Sequence, residues 1–258
     1  MFPVYSIPEG KEAMVYSISV ESITKYLGKT LAVDHASFNV QEGIVFGLLG
    51  PNGAGKTTTI RMLTTVLKPD EGTAKIRGYD LVKDAVKVRE VIGVLPEDTG
   101  LYDRLTPAEM LIFHGKIRGM DKKEILEKTE KYLSMLDLQA NRDQKVGTFS
   151  KGMKQKLALI RAVFHEPEII FLDEPTVGLD VMSARQIRKL ISEESGHGTT
   201  VVLSTHNMWE AQQLCREVAV INKGKIVSQG TIEALEQLTH EKDLEDVFVH
   251  LVRGEVTE

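Results

Sequence analysis

Short β-branched runs alternate along the chain with stretches of helical periodicity. Ser17–Lys25 and Ala36–Val40 read as strands, the second alternating through Phe38 and Val40. Ile44–Leu49 is apolar throughout, the pattern of a strand covered on both faces, and it runs straight into a glycine-rich loop. Lys56–Leu67 follows as a helix with Ile60, Leu63 and Leu67 on one face, and Lys68–Gly72, rich in breakers, turns the chain. Further strands are expected over Val91–Leu95, Ile169–Leu172, Val201–Thr205 and Val218–Ile221, with a Lys223-Gly224 turn leading to Ile226–Val227. Between about residues 101 and 164 the pattern is helical with no convincing strand, which predicts a helical subdomain inserted between two sheet strands. Near the end Leu244, Val247, Phe248, Leu251 and Val252 share one helical face. The alternation predicts an α/β fold with a largely parallel sheet.

Composition narrows what such a fold can serve. The chain has 258 residues and 42% hydrophobic content, enough for one full core with a subdomain. A net charge of −5 offers no broad basic surface, so no nucleic-acid partner is expected. Cys215 is the single cysteine, so there is no internal disulfide and a reducing cytosol suits the chain. Apolar runs such as Ile169–Leu172 are far too short to cross a bilayer, and the opening "MFPVYSIPEGKEAMVYS" lacks the basic start and apolar stretch of a signal peptide. Residues 1–16 are expected to form a loose arm on a cytoplasmic protein.

The glycine loop carries the first chemistry. Gly50-Pro51-Asn52-Gly53-Ala54-Gly55-Lys56-Thr57 fits G-x-x-x-x-G-K-[ST] between a strand and a helix. Glycines let successive N–H groups curl round phosphate oxygens, and the helix N-terminus favours negative charge. Lys56 would reach the β- and γ-phosphates and the Thr57 hydroxyl would ligate Mg²⁺. Thr58 stands where a dinucleotide fingerprint wants a third small residue, and it joins the loop as a nucleotide-binding position. "IIFLDEP", Ile169–Pro175, ends an apolar strand in two acids. Asp173 would face Mg²⁺ through water, and Glu174 would polarise an attacking water. A lone strand-end acid is common and often caps the next helix; beside the glycine loop the pair points to a nucleoside triphosphate.

"FSKGMKQKLALIRA", Phe149–Ala162, resembles the signature motif of ATP-binding-cassette (ABC) ATPases, with Ser150 and Gly152 kept. An N-capped helix, Ser150 as cap and Met153, Leu157, Ile160 and Phe164 as core stripe, is compatible with that. "TVGLD", Thr176–Asp180, resembles the family's D-loop, and "STH", Ser204–His206, its switch histidine. The resemblance runs from about Ser17 to Thr231. It implies a P-loop NTPase core (RecA-like, mostly parallel sheet), a small antiparallel β portion and the inserted helical subdomain, with residues 232–258 as a C-terminal helical extension. It also implies ATP and Mg²⁺ as cofactors, with Glu174, His206 and Lys56 catalytic. Asp180, Ser150 and Gly152 would complete the ATP site of a second copy in a head-to-tail pair, either a homodimer or a pairing with a related subunit. There are two departures. Glu97 occupies the place of the usual glutamine near Mg²⁺, and Leu27 takes the adenine-stacking slot with Tyr26 one residue earlier. His114, His165 and His197 are expected at the surface, and Trp209 and Cys215 as packing residues.

The motif wording and the closing "DLEDVFVHL" resemble the branch that serves drug, sodium and polysaccharide exporters. That implies ATP hydrolysis coupled to transport through a separate integral membrane permease, with the chain peripheral at the inner face of the membrane. A soluble ABC ATPase acting on ribosomes or DNA is the alternative. Leu101, Tyr102 and Leu105 either offer an apolar socket to the permease or pack inward on the subdomain.

Overall fold

The computed structural model describes residues 16–253. The arm expected over 1–16 lies outside the described residues except for Tyr16, as does the end of the C-terminal extension from 254. In chain order the elements are β1 (Tyr16–Leu27), β2 (Thr30–Gln41), β3 (Val45–Leu49), α1 (Lys56–Leu63), β4 (Glu71–Ile76), β5 (Tyr79–Asp80), α2 (Ala85–Val91) and β6 (Ile92–Leu95). Then come α3 (Pro107–Ile117), α4 (Lys122–Met135), two short 3₁₀ turns, α5 (Lys151–Val163), β7 (Ile169–Asp173) and α6 (Val181–Gly196). The chain finishes with β8 (Thr200–Thr205), α7 (Met208–Leu214), β9 (Glu217–Asn222), β10 (Lys225–Thr231), α8 (Ile232–Thr239) and α9 (Leu244–Arg253).

These elements build the expected α/β architecture from two sheets. One has the order β10-β9-β3-β8-β7-β6, parallel except for β10 at its edge; the other is antiparallel, β2-β1-β4-β5. The side-chain period of two lets each central strand feed two cores. Val45 and Leu49 of β3 join the cluster under the helices, while Phe46 and Leu48 join the cluster beneath the antiparallel sheet, where Phe38 stacks on Phe46 at 5.8 Å. Between β6 and β7 lie only helices and turns, with α3 opened by a capping box of Thr106 and Glu109. Leu244 and Val247 of α9 sit in the larger core, as does Cys215.

Several local readings change. The helix after the glycine loop ends at Leu63, not Leu67, because Thr65 adopts a left-handed backbone with φ 62°. The region read as a turn at Lys68–Gly72 already starts β4, whose first two residues, Glu71 and Gly72, are exposed and hide its strand pattern. Helix α2, with Val88 its one buried residue, was not expected. Trp209 is 57% exposed with the Arg188 guanidinium over its ring at 5.0 Å, so it does not pack in the core. His197 is exposed as expected, but His114 and His165 are not surface residues: their rings meet edge to face at 5.6 Å in the seam between core and helical subdomain.

Candidate nucleotide site

The parallel sheet brings the site together. β3 lies between β9 and β8, and β8 pairs with β7 so that Asp173 stands opposite Ser204. The loops leaving the carboxyl ends of these neighbouring strands therefore converge, the usual ligand position of an open α/β sheet. Gly50 has no room for a side chain, since a Cβ would come 2.3 Å from the Ile221 carbonyl oxygen of β9. Gly55 holds φ at +107° just before α1, leaving the first N–H groups of the helix open to an anion. Ala54 is buried while Pro51, Asn52 and Gly53 form the exposed rim, and Thr58 is half-buried.

Lys56 is only 5% exposed. Its Nζ donates to the carbonyls of Gly50 at 2.7 Å and Pro51 at 3.1 Å and pairs with Glu174 Oε1 at 3.2 Å. Thr57 Oγ1 donates to Asp173 Oδ1 at 3.2 Å, and the same oxygen accepts from Ser204 Oγ at 2.5 Å. His206 Nδ1 lies 3.0 and 3.1 Å from the two Glu174 oxygens. Glu174 itself sits on left-handed backbone, φ 49°, its N–H held by Ser204 Oγ at 3.1 Å and Ser204 O at 3.2 Å. So Lys56, Thr57, Asp173, Glu174 and His206 form one connected group.

The donor set fits a nucleoside triphosphate with a hard divalent cation: one hydroxyl and one carboxylate, with a cradle of N–H groups for phosphate. Among the described residues no cluster of three or more His, Cys, Asp or Glu forms a protein cage. Mg²⁺ is normally held by one or two carboxylates with substrate phosphates and water, so no cage is needed.

The other expected residues lie apart from this group. Ser150 caps α5, accepting from Met153 N at 3.3 Å, and Asp180 caps α6, accepting from Met182 N at 3.0 Å and Ser183 N at 2.9 Å. The two caps are neighbours, since a Cβ on Gly152 would lie 3.0 Å from Ser183 Oγ. Among the described residues no hydrogen bond or ion pair joins them to the glycine loop. Glu97 is exposed after β6, on a cleft with Phe149, Lys151, Lys154 and Gln155, and makes no bond to Thr57 or Asp173. Tyr26 and Leu27 are 48% and 46% exposed at the end of β1, where Tyr26 N donates to Asp70 Oδ2. Leu101 and Leu105 pack against the larger core while Tyr102 stays 58% exposed, edge-on to Phe113.

Sequence reasoning gave no role to Ser204, which bonds both acids of the site, or to Glu210. Glu210 is buried on α7, and burial pushes its carboxyl above the usual range. Its spacing from Asn207 reads as an ordinary helix cap, which is why the sequence gives no hint of its two side-chain partners.

Residues 33–177 match the family described as ABC transporter. The chain belongs to the ABC transporter family. This ABC cassette is 40% identical over 225 residues to the ABC transporter ATP-binding protein NatA of Bacillus subtilis, covering 86% of this chain and 92% of NatA. It is 36% identical over 214 residues to the linearmycin resistance ATP-binding protein LnrL of the same organism, covering 83% and 69%. Among solved structures it superposes on a dimeric ATP-binding cassette in a post-hydrolysis state bound to ADP and Pi, with a TM-score of 0.74, 27% identity and coverage of 83% and 98%. The chain is thus an ATP-binding cassette with ATPase activity.

Proposed function

We propose that this cassette is the ATP-hydrolysing subunit of an exporter, bound at the inner face of the cell membrane to a separate integral membrane permease. One observation carries the reading: Glu174 contacts both Lys56 and His206, directly beside the Thr57–Asp173 pair. Lys56 and the loop N–H groups would hold the phosphates, and Thr57 and Asp173 would hold Mg²⁺, which spreads the charge developing on the transferred group. Glu97, one strand away, would reach the same region through the cleft it lines. Glu174, oriented by His206, would take the proton from the attacking water. Tyr26 would lie against the base.

Ser150, Gly152 and Asp180 sit together but bond nothing in their own glycine loop, which supports a head-to-tail pair in which they face the partner's ATP. The dimeric neighbour supports it as well. Among the described residues no helix is long and apolar enough to cross a membrane, so the translocation path would belong to another chain. The resistance function in one relative's name supports export. The seam between core and helical subdomain suits the permease: Tyr102, Phe113 and Ile117 are exposed there beside Arg89, Arg118 and Arg161.

Tagged protein purified from detergent-solubilised membranes should carry an integral membrane protein with it. In inverted vesicles the pair should drive ATP-dependent accumulation of substrate in the lumen. Co-sedimentation with ribosomes and no membrane partner would replace this reading with the soluble one.

A further inference from the structure

Glu210 is 1% exposed, and a buried carboxylate is costly unless every lone pair and charge is matched. Its Oε1 accepts from Thr176 Oγ1 at 2.6 Å, and its Oε2 accepts from Thr205 Oγ1 at 3.3 Å. Arg188, 4.0 Å from Oε1, is its nearest cation. Capping α7 does not require this side chain: Asn207 Oδ1 already accepts from Glu210 N at 3.1 Å. What the two partners share is position. Thr176 stands two residues after Glu174, and Thr205 immediately before His206. Since His206 Nδ1 also contacts Glu174, the contacts close a ring through Glu174, Pro175, Thr176, Glu210, Thr205 and His206.

We propose that Glu210 is a positioning residue that clamps the loop after β7 to the loop after β8, holding His206 and Glu174 in hydrolytic register. An Arg188–Glu210 contact with Trp209 stacked on the guanidinium anchors the clamp from α6. A glutamine would fill the space but keep one acceptor oxygen for two hydroxyl donors, so one hydroxyl would have to turn round and accept, and the charge facing Arg188 would be lost. The inference rests on Glu174 and His206 being the hydrolytic pair.

The test compares Glu210→Gln, Thr176→Val and Thr176→Ser by steady-state kinetics and by the ¹⁵N signals of the His206 ring in nucleotide-free protein. Glu210→Gln and Thr176→Val should lower kcat tenfold or more with KM for ATP within about twofold, and should shift the His206 ring signals. Thr176→Ser should restore both. Normal kcat with an unmoved ring in a folded Glu210→Gln would overturn the clamp, as would a loss confined to melting temperature. If Glu210→Gln does not fold, the Thr176 pair alone decides by the same criteria. Glu174→Gln run alongside separates the two failures: an active Glu174→Gln removes the hydrolytic pair itself, whereas a dead Glu174→Gln beside a normal Glu210→Gln removes only the clamp.

Discussion

The nucleotide site and the seam beneath the helical subdomain handle charge in opposite ways. At the glycine loop each charged group has a partner of opposite character: Lys56 has Glu174, Asp173 has two hydroxyls, and Glu174 has His206. At the seam the cations reach only neutral oxygens. Arg89 donates to Thr65 Oγ1, Arg118 to the Arg89 carbonyl, and Arg161 to the carbonyls of Thr99 and Gly100. Among the described residues none of the three has a carboxylate ion-pair partner. Beside them His114 Nε2 and His165 Nδ1 are buried with no hydrogen-bond partner. The five site residues are thus tied to one another within the chain, whereas the seam leaves three guanidiniums without a carboxylate ion pair, an arrangement that would complement an acidic partner surface.

The sharpest way to break the balanced site is Glu174→Gln, which keeps the shape and removes the charge opposite Lys56. Hydrolysis should fall by about 10²–10⁴-fold, the share expected of a general base, while nucleotide binding persists. Phosphate release and equilibrium nucleotide binding on the same preparation check this. Unchanged turnover would mean that the Lys56–Glu174–His206 contacts serve folding alone.

At the seam the corresponding change is Arg118→Glu, which reverses an unpaired charge. Basal ATPase of the isolated chain should stay within about twofold, while affinity for the membrane partner should weaken by about 2 kcal/mol or more, the cost of spoiling a desolvated charge contact. Detergent-phase pull-down titrated against the partner reads the effect. Undiminished assembly would show that the seam cations answer to nothing outside the chain.

How much of this contrast the sequence reveals follows from the same difference. β3, β7, β8 and β9 are legible because strands covered on both faces must be apolar throughout, and the loops leaving them carry residue types that phosphate chemistry dictates. β4 and α2 escape notice because each buries too little to leave a period. Four clustered residues of the seam, His114, Arg118, Arg161 and His165, come from helices or their ends more than forty positions apart, and no local pattern announces that two imidazoles will meet. Leu101 and Leu105 turn inward and Tyr102 outward, a division that depends on the packing of α3 and α5 and not on the loop's own composition.

The smallest effect concerns those imidazoles. Burial, with nearby guanidinium charge, holds both His114 and His165 down at about 4, against an ordinary 6.5. The unfolded chain therefore binds protons that the folded chain refuses between those values, so the neutral pair's contribution is whole above pH 6.5 and is lost as pH falls toward 4. Melting temperature should decline through that window more steeply in the wild type than in a His114→Phe/His165→Gln variant. Parallel curves would mean that the rings titrate as they do in solvent.

Glu174 also sets a limit on improving this protein. Its φ of 49° is a conformation that costs a non-glycine residue about 1–2 kcal/mol, and glycine would occupy it freely. Glycine would relieve that backbone cost but would take the counter-charge away from the buried Lys56, a loss that outweighs the relief. Backbone ease and charge pairing pull in opposite directions at a single Cα. Heat-resistant variants selected without an activity screen should instead collect glycine at exposed left-handed positions such as Lys223 and His240, and spare Glu174.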